Sequence, residues 1–269
     1  ITGFYGLLTE KSVKDFQSSI GMEITGQVGF MTRIAINQEI CNNYITDFNP
    51  KKNVSSPDKN NFKELVYLSI PLIEQRYRLS CEAASMQMAM LYKGIIKNQD
   101  ELLSQIGISL PFKKYFKNNI LVWGDPDLGF VGDVRGYVYK YNNGYYDATG
   151  WGVNNGPVAR VLKLFLPLSE EKDSATVDII KDELRKNNPI IFWHKDDDSI
   201  DKQITYKTIS NKNIIFTATH VAVITGFYID KEDKVFYFIN DPMAGRLVIE
   251  EEKLQRIMTR WNNDIVIVR

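Results

Sequence analysis

Apolar positions change their period along this chain. Near the start, Val13, Phe16 and Ile20 recur at i, i+3 and i+7, one face of a helix that Thr9 can cap. Gly21 and Thr25-Gly26-Gln27 interrupt it, and a second helix is predicted over about residues 30–40. A polar stretch broken at Pro50 and Pro57 then reads as a linker over 46–64. Leu65 to Ile73 is strand-like, and Ser80 to Tyr92 is helical with Ala84, Met88 and Leu91 as its buried stripe. A stretch rich in Gly, Asp and Tyr covers 124–156, Pro157 opens a further helix, and a polar helix spans about 173–187. Apolar strands are predicted at 189–193, 213–229, 234–240 and 265–268. Helices first and a strand-rich second half predict an α+β fold.

Composition narrows the function classes. The chain has 269 residues, 44% apolar and 25% charged, enough to bury a core without disulfide or metal support. Its formal net charge is zero, which gives no electrostatic case for nucleic acid or an anionic membrane surface as partner. No apolar run approaches the length of a transmembrane segment, and no signal peptide is visible; the first residues read as the middle of something already folded. Two cysteines, Cys41 and Cys81, do not make a disulfide scaffold, although one bridge between them stays open. No zinc, phosphate-loop or dithiol motif occurs. With only two histidines, no dedicated metal site and no cofactor are expected.

Candidate chemistry gathers around Cys81. Ser80 can cap the following helix, so Cys81 falls in its first turn, where the helix dipole favours a thiolate nucleophile. Gln75, six residues earlier, can supply a side-chain amide that joins the Cys81 backbone N–H in stabilising an oxyanion. A base must then be His194 or His220. His194 precedes Lys195-Asp196-Asp197-Asp198, which reads as a solvated loop. His220 opens a strand that turns at Asp230–Asp233 and returns to Asn240-Asp241-Pro242. If Asp230 and Asp233 close the turn, Asp241 lies opposite Ala222; with the turn shifted back by one position, it lies opposite His220. Both registers put Asp241 on the face of His220, where a carboxylate can orient the imidazole, whereas a one-residue slip puts it on the other face.

Two stretches carry family resemblances. Gly3-Phe4-Tyr5-Gly6, Leu8-Thr9, Ser12 to Gln17, Ile20-Gly21-Met22 and Thr25-Gly26 resemble the small peptidoglycan-binding domain of secreted cell-wall enzymes, with that family's first helix lying before Ile1. Residues 65–269 resemble the papain-like superfamily, nearest the bacteriocin-leader (double-glycine) peptidase-like group in its secreted stand-alone form. The marks are Gln75 through Cys81-Glu82-Ala83-Ala84-Ser85, Gly124 to Asp133, Gly152 to Val158, His220 to Gly226 and Asn240-Asp241-Pro242. Transporter-linked members usually follow the cysteine with glycine, where Glu82 stands here.

The resemblance implies Cys81 as nucleophile, His220 as base, Asp241 as orienter and Gln75 as oxyanion donor. It also implies a papain-like fold with the cysteine helix packed on an antiparallel sheet. The organisation expected is a partial peptidoglycan-binding-like helical unit over 1–45, a linker over 46–64 and a peptidase domain over 65–269. The expected function is a cysteine peptidase, extracellular or at the cell wall, acting on a peptide or protein, with peptidoglycan as a further partner. The alternatives are a non-catalytic peptide- or wall-binding module on a degenerate peptidase fold, and a transferase or amidase using the same triad. Trp123, Trp151 and Tyr145-Tyr146 are candidates for a substrate groove or for ordinary core.

Overall fold

The computed structural model describes residues 6–19, 24–27, 62–140, 146–195, 204–216 and 219–269. The chain divides into two units, Ile1–Lys59 and Asn60–Arg269. The helix predicted over 30–40 and Cys41 lie outside the described residues.

In the first unit one helix runs Leu7–Ser19, so Thr9 sits within its first turn rather than at its cap. Val13 is buried, as its periodicity predicts. Gln17, also buried, fastens the turn that follows. Its Nε2 donates to Thr25 Oγ1 and to the Gln27 carbonyl, both at 3.0 Å, and its Oε1 accepts from the Gly26 N–H at 2.9 Å. Gly26 has φ +70, a backbone state that costs glycine little.

The second unit is built on a seven-stranded sheet whose strand pairs are all antiparallel. Its order is Gly245–Glu250, Val235–Asp241, His220–Asp230, Ile190–His194, Ile265–Ile267 and Glu170–Lys172. Phe62–Tyr67 also pairs with the second half of His220–Asp230, the histidine strand. Phe62 to Glu64, read from sequence as the end of the linker, are therefore already in the sheet. The neighbours change along the histidine strand: Ile190–His194 pairs with its residues His220 to Ile224, and Phe62–Tyr67 with Gly226 to Asp230. At the junction a Cβ on Gly226 would come within 2.2 Å of the Val66 carbonyl oxygen, so only glycine allows the backbones this close.

The cysteine helix, Cys81–Tyr92, lies against this sheet, with Ser85 Oγ donating to the Val221 carbonyl at 3.2 Å. A single buried stripe was expected, but Cys81 through Met86 and Met88 through Met90 are all buried. Such a helix is central rather than amphipathic. Helices Gln99–Ile106, Asn155–Lys163, Val177–Arg185 and Glu251–Thr259 add to the cover, and the core is rich in Ile, Val, Leu and Met. A second, smaller core contains Trp123, Val131, Trp151 and Tyr206, which assigns both tryptophans to packing. Short strands in 108–152 and Ile204–Lys207 with Asn213–Phe216 surround it. The architecture is α+β and papain-like, as expected.

Candidate active site

Ser80 is the residue before the cysteine helix, but its hydroxyl does not cap it. It accepts from the Tyr77 N–H at 3.0 Å and shapes the preceding loop. In the same loop Gln75 Nε2 donates to the carbonyls of Tyr77 at 2.9 Å and Arg78 at 2.8 Å, while its Oε1 is buried with no hydrogen-bond partner among the described residues. The Gln75 N–H donates to the Pro242 carbonyl at 3.0 Å, and Asn240 Nδ2 donates to the Ile70 carbonyl at 2.9 Å. These bonds stitch the segment leading to Cys81 onto the end of the strand that carries Asp241.

His220 and Asp241 are brought together by two irregularities that cancel. The turn closes at Asp230 and Lys234, with Asp233 left-handed at φ +65, so the loop holds one residue more than the sequence reading allowed. Tyr228 pairs with Phe236 and Gly226 with Phe238 in this register. Continued unchanged, it would set Asp241 level with Val223, on the face away from His220. A bulge between Ile224 and Gly226 slips the ladder by one residue, so Ile224 pairs with Ile239 and Val223 with Asn240. Asp241 then falls level with Ala222, on the His220 face, and its Oδ1 accepts from His220 Nε2 at 2.9 Å. The same Oδ1 accepts from the N–H groups of Met243 at 2.7 Å and Ala244 at 2.8 Å.

The acidic residues Asp196 to Asp198, read as a solvated loop after His194, lie outside the described residues. His194 itself ends a fully buried strand, is 3% exposed, and pairs directly with His220 across the ladder. Its ring stacks on Phe192 with centroids 4.8 Å apart and meets His220 edge-on at 5.4 Å. One potential ligand atom from each of His194, His220 and Asp241 lies within 4.8 Å of the other two.

Glu82 is the residue that sequence reasoning passed over. It is buried beside Cys81, whose thiol donates to its Oε2 at 3.4 Å, and its Oε1 accepts from the Val153 N–H at 3.0 Å. Gly152 leaves it room: at φ +141, a Cβ there would stand 2.4 Å from Glu82 Oε1. Trp193 Nε1 donates to the Val153 carbonyl at 3.0 Å, which secures the other side of that loop.

The sequence profile described as the Peptidase C39-like family matches residues 67–264. The chain belongs to that family. Among solved structures, one from Bacillus anthracis with a provisional C39-like peptidase assignment superposes with a TM-score of 0.62 at 22% identity, covering 77% of this chain and 98% of that one. A double glycine motif protease from an AMS/PCAT transporter, in complex with the leader peptide, gives 0.37 at 17% identity, covering 79% and 95%. No curated protein matches the chain in sequence.

The electrostatics of this C39-like site are uneven. Burial pushes the Cys81 thiol well up, the Glu82 carboxylate pushes it further, and a hydrogen bond with the Val221 backbone pulls the other way. Cys81 thus rests as a neutral thiol, free of any disulfide, rather than as the standing thiolate that the helix N-terminus alone predicts. Burial also raises Glu82, against the backbone N–H groups of Glu82 and Val153. Asp241 behaves oppositely. Its burial would raise it, but the hydrogen bond and charge of His220, with the Ala244 and Met243 N–H groups, hold it at about 2.

The loop Gly124–Asp133 is braced by its own contacts. Tyr206 OH donates to the Gly124 carbonyl at 2.9 Å, and Lys212 bridges Asp125 and Asp127. No helix among the described residues is long and apolar enough to cross a membrane.

Proposed function

We propose that this C39-like chain is a cysteine peptidase in which Cys81 is the nucleophile, His220 the base and Asp241 its orienter. The observation that carries the reading is the His220–Asp241 pair at the head of the strand whose next residue, Val221, accepts a hydrogen bond from Ser85 of the helix that begins at Cys81. Asp241 occupies His220 Nε2, which leaves Nδ1 to exchange protons with the thiol. As Sγ attacks the scissile carbonyl carbon, its proton passes to His220. His220 returns that proton to the leaving amine as the C–N bond breaks, leaving a thioester. Water then attacks the thioester, losing a proton to His220, and the C–S bond breaks to release the acid product and restore the thiol.

Gln75 is assigned the oxyanion role with the Cys81 N–H. Both of its side-chain N–H bonds hold the loop in the resting protein, so one must be exchanged as charge develops. The substrate class is a peptide or protein. An extracellular, wall-associated setting rests on the resemblances of residues 1–45 and 65–269, peptidoglycan as partner on that of residues 1–45, and sedimentation of the chain with purified wall tests the partner.

The deciding experiment incubates the full chain with peptide and protein mixtures and identifies products by mass spectrometry. New termini are expected with wild type and none with Cys81→Ala of unchanged thermal stability; equal products from both would overturn the assignment. A second reading, a non-catalytic peptide-binding module, draws on the burial of Cys81 at 8% exposure beside Glu82. It expects peptide capture by wild type with no products from any mixture.

A further inference from the structure

We infer that His194, His220 and Asp241 form a binding site for a borderline divalent cation such as zinc, through which the metal switches the peptidase off. The two histidines are the only ones in the chain, and the ladder sets them directly opposite each other at one end of the sheet. Asp241 ends the next strand over, so three adjacent strands deliver two imidazoles and a carboxylate to one place. Their potential ligand atoms already lie within 4.8 Å of one another, a spacing that small side-chain rotations close to the ≈2.0–2.2 Å metal–ligand bonds of zinc. Two imidazoles and a carboxylate match borderline metals rather than calcium or magnesium, and water can complete the coordination.

Two features hold this site ready. The His194 ring is fixed by its stack on Phe192 and by burial, and Asp241 is anchored by two backbone N–H groups. Beside them lies a cavity of ≈ 20 Å³, lined by His194, Asp241, Phe192, Ile239, Ile257 and Lys253, which has room for about one water or a single ion. Lys253 opposes a cation there, but it is exposed and its charge is screened by water.

Bound metal takes the place of the His220–Asp241 hydrogen bond. It therefore removes the base, and this part of the inference rests on the function proposed above. The cation site itself does not, because Cys81 is no part of it.

The test measures zinc binding to the full chain by titration calorimetry, in wild type, Cys81→Ala, His194→Phe and His194→Gln. One saturable equivalent is expected in wild type and Cys81→Ala, with affinity about 10-fold or more weaker in both His194 variants. Two variants are used so that a misfolded one, revealed by its melting curve, leaves the other to decide. Binding that survives both His194 changes, binding that vanishes in Cys81→Ala, or no saturable binding in wild type would each overturn the site. Turnover is read separately: zinc is expected to inhibit wild type, EDTA to reverse it, and half-inhibition to need about 10-fold more zinc in a His194 variant. Zinc bound in the expected pattern without inhibition of a working peptidase would overturn the switch. Binding in that pattern with no peptidase activity in any preparation would leave the site standing and count against the proposed function.

Discussion

The helix side and the sheet side of the site treat charge in opposite ways. On the helix side, Cys81 and Glu82 are buried together, and each is pushed toward its neutral form. On the sheet side, Asp241 is also buried, yet an imidazole and two backbone N–H groups hold it ionised. Burial opposes charge on both sides, and the partners decide the outcome at Asp241. A buried charge persists where donors already point at it and is refused where another acid faces it. In the proposed mechanism the proton therefore moves during attack, from the side that refuses charge to the side prepared for it.

The largest expected break in this contrast is Asp241→Asn. It removes the charge that stabilises the imidazolium, and activity should fall by roughly 10²–10⁴-fold. It should also erase a pH signature. The folded value of Asp241, at about 2, lies below its ordinary 3.8, so its contribution is fully present above the ordinary value and is lost as pH falls toward the folded one. Wild type should lose about 2 kcal/mol over that interval through this group, and denaturant melts at stepped pH should show the loss shrinking in the variant. An unchanged acid limb would remove Asp241 from the account.

Glu82→Gln sharpens the contrast from the other side. The amide oxygen still accepts from the Val153 N–H, but the carboxylate facing the thiol is gone. Iodoacetamide should label Cys81 at pH 7 several-fold faster, roughly threefold to tenfold, than in wild type. Equal rates would mean that burial alone sets the thiol. The smallest effect expected is that of Ser85→Ala, which deletes one buried bond between cysteine helix and histidine strand. About 1 kcal/mol of stability should be lost, read in urea, with activity within about threefold of wild type.

Much of this was legible in the chain. The cysteine helix, the hairpin and the closing strand followed from local periodicity and turn residues, whereas the approach of Asp241 to His220, read from strand parity, holds only because an unread bulge offsets a turn one residue longer than expected. Glu82 was not legible, because a glutamate in the first helical turn ordinarily faces water. Its burial depends on the Gly152–Val153 loop, seventy-odd residues away. The only trace was Gly152 itself. The pairing of His194 with His220 was unread for a similar reason: which strands become neighbours is a non-local outcome, so the acidic residues after it suggested solvent while its partner strand lay 26 residues on. The short strands around the second core run only two to four residues, too brief for a period to show.

The bulge at Thr225 makes the hairpin count. Each one-residue slip of the pairing toggles which face the aspartate meets, so a single slip separates the pair and a second restores the face. The three-residue turn is one toggle and the bulge is the other. The histidine–aspartate spacing of 21 residues works with this turn only because the bulge takes up the slip. A kink in one strand thus decides what the turn alone does not: which side of the sheet receives the carboxylate.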